Sequence, residues 1–233
     1  MHSILRTCQP RTDLHTGSFN PEIFTASLSQ VTDCYRGRAT PIHTLYTDAE
    51  QFFREATYPT QGLCTVLAEV FGRLAGDNTM PAIHRLETAF GGGKTHALIA
   101  LAHLGFRGNA LAAVTHGLLD AQLLPVPGDV VVVGIAGDEI PVHKPHGTAL
   151  VPYTLWGEIA YQIGGEALYR QVEAEATSYA APGRTYFEAV LEHRKVLILL
   201  DELAQYAARL ETAIPDGGDQ LAALLMGLHG CRA

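Results

Sequence analysis

The chain has 233 residues, 47% hydrophobic and 17% charged, with 16 basic against 24 acidic side chains and a formal net charge of −8. That length holds one large domain or one and a half small ones, and the apolar share supports a sizeable core. The charge excludes a surface built as a whole to attract nucleic acid.

Residues 1–46 are turn-rich, punctuated by Pro10, Gly17, Pro21, Gly37 and Pro41. Within them Pro21–Gln30 carries Ile23, Phe24 and Leu28 at helical spacing, with Asn20 as N-cap and proline in the first helical position. Asp48–Glu55, with Phe52 and Phe53, predicts a second short helix. After the turn Thr57-Tyr58-Pro59-Thr60-Gln61-Gly62, the stretch Leu63–Leu74 sets Leu63, Val66, Leu67, Val70, Phe71 and Leu74 on one helical face, and Gly76-Asp77-Asn78 stops it. Residues 1–78 read as an N-terminal arm and helix packing on a core that occupies 79–233.

Within that core, Pro81–Leu86 predicts a short strand leading into Glu87-Thr88-Ala89-Phe90-Gly91-Gly92-Gly93-Lys94-Thr95-His96, and Thr95–Leu104 an apolar helix. Gly105–Asn109 reads as a turn and Ala110–Leu124 as a further helix. Val130–Ala136 is a continuous β-branched run of the kind buried on both faces of a sheet. A proline-rich loop, Gly137–Pro152, precedes helices at Thr154–Ile163 (Trp156, Ile159 and Ala160 inward), Glu166–Tyr179 and Thr185–His193. Lys195–Leu200 is a second apolar strand, running into Asp201 and Glu202, and Gln220–His229 is the last helix. The pattern predicts an α/β, three-layer P-loop NTPase fold with a parallel sheet of the additional-strand type and a helical N-terminal arm.

The strand, glycine turn and helix opening at Gly-Lys-Thr point to phosphate chemistry. Glycines at 91, 92 and 93 let the backbone adopt positive φ and approach an anion with no Cβ in the way. The helix N-terminus adds unpaired N–H groups and a partial positive charge. Gly91, Gly92, Gly93, Lys94, Thr95 and His96 are the candidate nucleotide-binding residues, with Lys94 reaching the β- and γ-phosphates. The pattern G-x-x-x-x-G-K-[ST] would place its first glycine where Thr88 stands. Thr95 and Asp201 are the candidate Mg²⁺ ligands, and Glu202, with Lys94, the candidate catalytic residue, polarising a water for in-line attack. No guanine-reading Asn-Lys-x-Asp tetrad occurs, so ATP with Mg²⁺ is the expected ligand. Tyr58, Pro59 and Thr60 are candidates for the base side of that site, Arg209 for an arginine finger toward a neighbouring subunit, and His143 with His146 for a metal pair that lacks a third ligand. Four dispersed cysteines, Cys8, Cys34, Cys64 and Cys231, and the lack of any signal-like or long apolar segment predict a reduced, cytoplasmic protein with no membrane span.

Taken together, Thr57-Tyr58-Pro59-Thr60 with Gly62-Leu63, the loop Leu86–His96, Leu155–Gln162 and Leu200–Tyr206 resemble the large predicted AAA+ ATPases of the domain of unknown function 499 family. In that family the loop reads Thr-x-Phe-Gly-Gly-Gly-Lys-Thr-His, which accounts for Thr88. The resemblance implies an ATPase found beside DNA methyltransferases and helicases in anti-phage clusters, and a homo-oligomer. Its full-length form would hydrolyse Mg·ATP to remodel DNA or a DNA-modifying complex. Family members are longer, so the chain is expected to stop before the sensor and lid regions. A nucleotide-switched scaffold or signalling protein that binds ATP without turnover is the alternative.

Overall fold

Two parallel strands lie at the centre of the protein: β1 (Val130–Ala136) and β2 (Lys195–Asp201), aligned from Val130 opposite Lys195 to Ala136 opposite Asp201. The computed structural model describes residues 16–17, 26–38, 41–87 and 91–230, the last four for their backbone alone. Around the strands stand α1 (Leu28–Tyr35), α2 (Thr44–Thr47), α3 (Ala49–Gln51) continued by a π-helical turn (Phe52–Ala56), α4 (Gln61–Leu74), α5 (Lys94–Arg107), α6 (Leu155–Gln171), α7 (Glu173–Ala176), α8 (Arg184–Leu191), α9 (Leu203–Ala213) and α10 (Gly217–Gly230).

Both strands are apolar because both faces of the sheet are covered. Val130, Val132, Leu197 and Leu199 pack in one cluster with Leu28 and Val31 of α1, Leu67 and Phe71 of α4, and Ile99 and Leu104 of α5. Val133 and Ile135 belong to the other, with Trp156 and Ile159 of α6, Phe187 of α8, and Tyr206 and Leu210 of α9. The result is a mixed α/β protein with a small two-stranded parallel sheet and many helices. Helices from before residue 79 thus share their core with α5 and the strands.

The outer edge of β1 is closed by side chains. Gln162 of α6 accepts from Gly134 N at 3.0 Å and donates to Gly134 O at 3.1 Å, as a neighbouring strand would. Arg36 donates to Val132 O at 3.1 Å and to Gln162 Oε1 at 2.7 Å, and Gln162 also donates to Glu158 Oε1 at 2.7 Å. Burial pushes the Glu158 carboxyl up and the Arg36 guanidinium down from their ordinary ranges.

Several predicted elements form differently. The first helix begins at Leu28, after Ser27, and ends at Tyr35; Asn20 and Pro21–Thr25 lie outside the described residues. Pro81–Leu86 forms no strand, and most of 81–87 is exposed. A strand exists only through a ladder, and among the described residues the one ladder joins β1 to β2. The expected turn at Gly105 is helix instead: a Cβ there would sit 2.6 Å from Val132 Cγ2, so the glycine serves close approach of α5 to the sheet. Ala110–Leu124 is a pair of short 3₁₀ turns, Gly108–Leu111 and Ala121–Leu123, separated by turns. Val114 and Thr115 disfavour helix, and Gly117 at φ 86° interrupts it. The predicted helices at 154–163 and 166–179 run together as α6, broken by Gly165 at φ 66°, followed by α7.

Candidate functional site

The α5 N-terminus is shaped by glycine. Gly91 and Gly93 have φ of 76° and 79°, values that a side chain would strain, and all three loop glycines are exposed. Gly93 stands at the N-cap and, having no side chain, makes no cap hydrogen bond to the first N–H groups of this 14-residue helix. Those donors and the dipole behind them suit an anion. Lys94 is the first helical residue and is half-buried, with Thr95 beside it. Thr88, Ala89 and Phe90 lie outside the described residues.

The end of β2 meets this helix directly. Thr95 Oγ1 donates to Asp201 Oδ2 at 2.7 Å, bringing together residues far apart in sequence. The other carboxylate oxygen accepts the Glu202 backbone N–H at 3.0 Å, and Asp201 O accepts from Gly137 N at 2.9 Å. Three bonds therefore hold the aspartate at the strand tip. A hydroxyl and a carboxylate in contact are hard oxygen donors of the kind Mg²⁺ takes, the rest of its shell coming from phosphate and water. The residues present thus fit both an anion and a magnesium ion.

Glu202 opens α9 in the left-handed region, φ 52° and ψ 32°, a conformation that costs a non-glycine residue of the order of 1 kcal/mol. Its carboxylate is exposed and accepts from Gln205 Nε2 at 2.8 Å. Tyr206 turns the other way: it is fully buried, accepts the Leu155 N–H at 3.2 Å, and burial raises its hydroxyl to about 12.

The remaining candidates have different places. His96 packs its ring on Phe52 with centroids 4.5 Å apart and bonds Thr57 through Nε2 at 3.1 Å. Arg209, expected to reach toward a neighbouring subunit, spans the turn after β1 instead, donating to Gly137 O at 3.2 Å and Ile140 O at 2.7 Å, and to Asp138 O. A planar fork holding three carbonyls of one loop is an internal brace. Among the described residues no group of three or more His, Cys, Asp or Glu could hold a metal ion, which includes the surroundings of His143 and His146. No helix of the described residues is long and apolar enough to cross a membrane. Sequence reasoning did not find Thr57 or Gln205 as partners of His96 and Glu202; the only signal for Gln205 was its position one turn beyond the acid.

The family model described as the DUF499 N-terminal domain matches residues 5–116 and 128–222. No curated protein and no solved structure matches the chain.

Proposed function

The chain belongs to the DUF499 N-terminal domain family, and we propose that in it the chain binds Mg·ATP at the loop Gly91–Thr95 and, in a full-length form, hydrolyses it. The observation that carries this reading is the Thr95–Asp201 hydrogen bond at 2.7 Å. A glycine loop before a helix and an apolar strand ending in an acid are each common; their hydroxyl and carboxylate in contact are what a shared magnesium site needs.

The chain's own groups divide the work. The N–H groups of the loop Gly91–Gly93 and of the helix start would receive phosphate oxygens, and the Lys94 ammonium adds a positive charge at the same end. Thr95 and Asp201 would hold the ion, which neutralises charge on the phosphates when bound. Glu202, at the helix start beside the aspartate, would orient and polarise a water toward the terminal phosphorus. Coupling of turnover to DNA or to a DNA-modifying partner is the family-level part of the proposal, supported by the sequence resemblance and by no residue described here.

The test is thermal unfolding with and without Mg·ATP. At a ligand concentration of 100 times its dissociation constant, stabilisation should be about 2.7 kcal/mol, and Lys94→Ala should abolish it. Undiminished stabilisation in that variant would remove the phosphate-loop assignment. Glu202→Gln in a full-length form should trap ATP and stop turnover. Turnover absent with Glu202 in place, together with ATP-dependent partner binding, would favour a nucleotide-switched scaffold.

A further inference from the structure

Beyond the phosphate end of the site, a second set of contacts runs from the first turn of α5 to the segment ahead of α4. The π-helical turn Phe52–Ala56 delivers the chain into 57–60. Thr57 Oγ1 lies 3.0 Å from Phe52 O and 3.1 Å from His96 Nε2. A carbonyl can only accept, so the hydroxyl proton goes to Phe52 and His96 must present Nε2–H to the Thr57 oxygen. Stacking on Phe52, with the rings 27° apart, fixes the plane of the imidazole.

What this arrangement holds is unusual in one respect. Tyr58, the next residue, is 78% exposed, while the backbone on each side of it is tied down. Thr57 is held by His96, and Thr60 N donates to Tyr58 O at 2.8 Å in a tight turn around Pro59. Thr60 then caps α4, accepting from Leu63 N at 3.3 Å. An aromatic ring left in water on a fixed backbone, one hydrogen bond removed from the residue after Thr95, is a surface prepared for a flat partner.

We propose that His96 is a positioning residue that ties the 57–60 segment to the phosphate-loop helix, so that Tyr58 stacks on the base of a nucleotide whose phosphates lie at Gly91–Thr95. This rests on the phosphate-loop reading. Stacking accepts any base, so the contact distinguishes a nucleoside triphosphate from bare polyphosphate and does not choose among bases.

The experiment measures dissociation constants of Mg·ATP and of Mg·tripolyphosphate for the chain and for Tyr58→Ala, His96→Ala, His96→Gln and the Tyr58→Ala/His96→Ala double variant. Wild type should bind ATP at least about tenfold more tightly than tripolyphosphate. Tyr58→Ala and His96→Ala should each erase most of that preference and leave tripolyphosphate unchanged. The double variant should be no worse than either single one, because both act through the same ring. His96→Gln, which keeps an amide N–H in reach of Thr57, should recover part of the preference. Tyr58 is exposed, so Tyr58→Ala leaves the core intact and keeps the test decisive even if His96→Ala fails to fold. Equal loss of both ligands in His96→Ala, additive losses in the double variant, or an unchanged preference in Tyr58→Ala overturns the proposal alone. Wild type that binds neither ligand removes the phosphate-loop reading and this proposal with it.

Discussion

The two edges of the sheet are treated differently by the chain. On β1, Gln162 satisfies both backbone groups of Gly134, and Arg36 covers Val132 O. On β2, Gly137 N donates to Asp201 O, so the odd-numbered residues turn their backbone groups toward β1. Val196, Ile198 and Leu200 therefore turn theirs outward, where no described residue bonds them. The same contrast recurs in two histidines. His103 of α5 uses both ring nitrogens, with Nε2–H donating to Tyr46 O at 3.1 Å and Nδ1 accepting from Tyr35 Oη at 2.7 Å. His84, in the segment leading to the phosphate loop, reaches Glu69 Oε2 at 3.3 Å through Nδ1, while its buried Nε2 has no partner among the described residues. The region behind the loop helix is closed and satisfied, and the region ahead of the loop is neither. A backbone edge can be finished by side chains as well as by a strand, provided an amide arrives with both a donor and an acceptor.

The sharpest way to break this contrast is Gln162→Leu. It keeps the side-chain bulk, strands Gly134 N and Gly134 O, and takes one partner each from Arg36, which keeps Val132 O, and from Glu158. With about 1–3 kcal/mol for each buried group left unpaired, the loss should be about 4 kcal/mol. Urea unfolding measures it as a shift of midpoint at constant slope. A loss below about 1 kcal/mol would mean that water closes the β1 edge as well as Gln162 does, and the two edges would then be alike.

Acid should open the closed region next. Burial holds the His103 pKa down to about 4, assisted by Arg107 and His96 and opposed by the bond to Tyr46 O and by Asp48. The unfolded ring takes its proton near pH 6.5, so between pH 6.5 and 4 the unfolded chain binds more protons than the folded one. Stability is therefore full above about pH 6.5, falls as pH drops toward 4, and levels off below; the shift corresponds to about 3 kcal/mol. Carboxylates titrate in the lower part of this window, so the measurement is the difference in slope between wild type and His103→Gln. Equal slopes would show that His103 does not stay neutral in the fold.

Much of this architecture was legible from the sequence where the signal is local. Val130–Ala136 and Lys195–Leu200 read as strands because a sheet covered on both faces demands unbroken apolar runs. Helix α4 was legible from its apolar stripe and from Gly76 just past its end, whereas its cap, Thr60, read only as part of a turn. Thr95 and Asp201 were named as a pair from motif chemistry, and the structure brings them into contact. What failed was non-local. Pro81–Leu86 has a composition a strand tolerates, but pairing depends on a neighbour that composition does not encode. Gly105 reads as a turn former until the sheet beneath it is known. Thr57 and His96 meet only because α5 packs beside the π-helical turn, and Arg209 braces the 137–140 turn only because α9 lies across it. No spacing in the sequence announces either contact.

The smallest effect tests the unsatisfied side. In His84→Phe the ring is kept and the orphaned Nε2 removed, together with the contact to half-exposed Glu69. The lost pair is worth about 0–1 kcal/mol, and an unpaired buried polar atom costs about 1–3 kcal/mol. The variant should therefore be more stable than wild type by about 1 kcal/mol, a rise in Tm of about 2–4 °C for a chain of this size. The opposite sign to Gln162→Leu is the point of the comparison: removing a polar group hurts where its partners are present and helps where they are missing. A loss of more than about 1 kcal/mol would place a partner on Nε2, and the segment ahead of the loop would then be as fully satisfied as the one behind it.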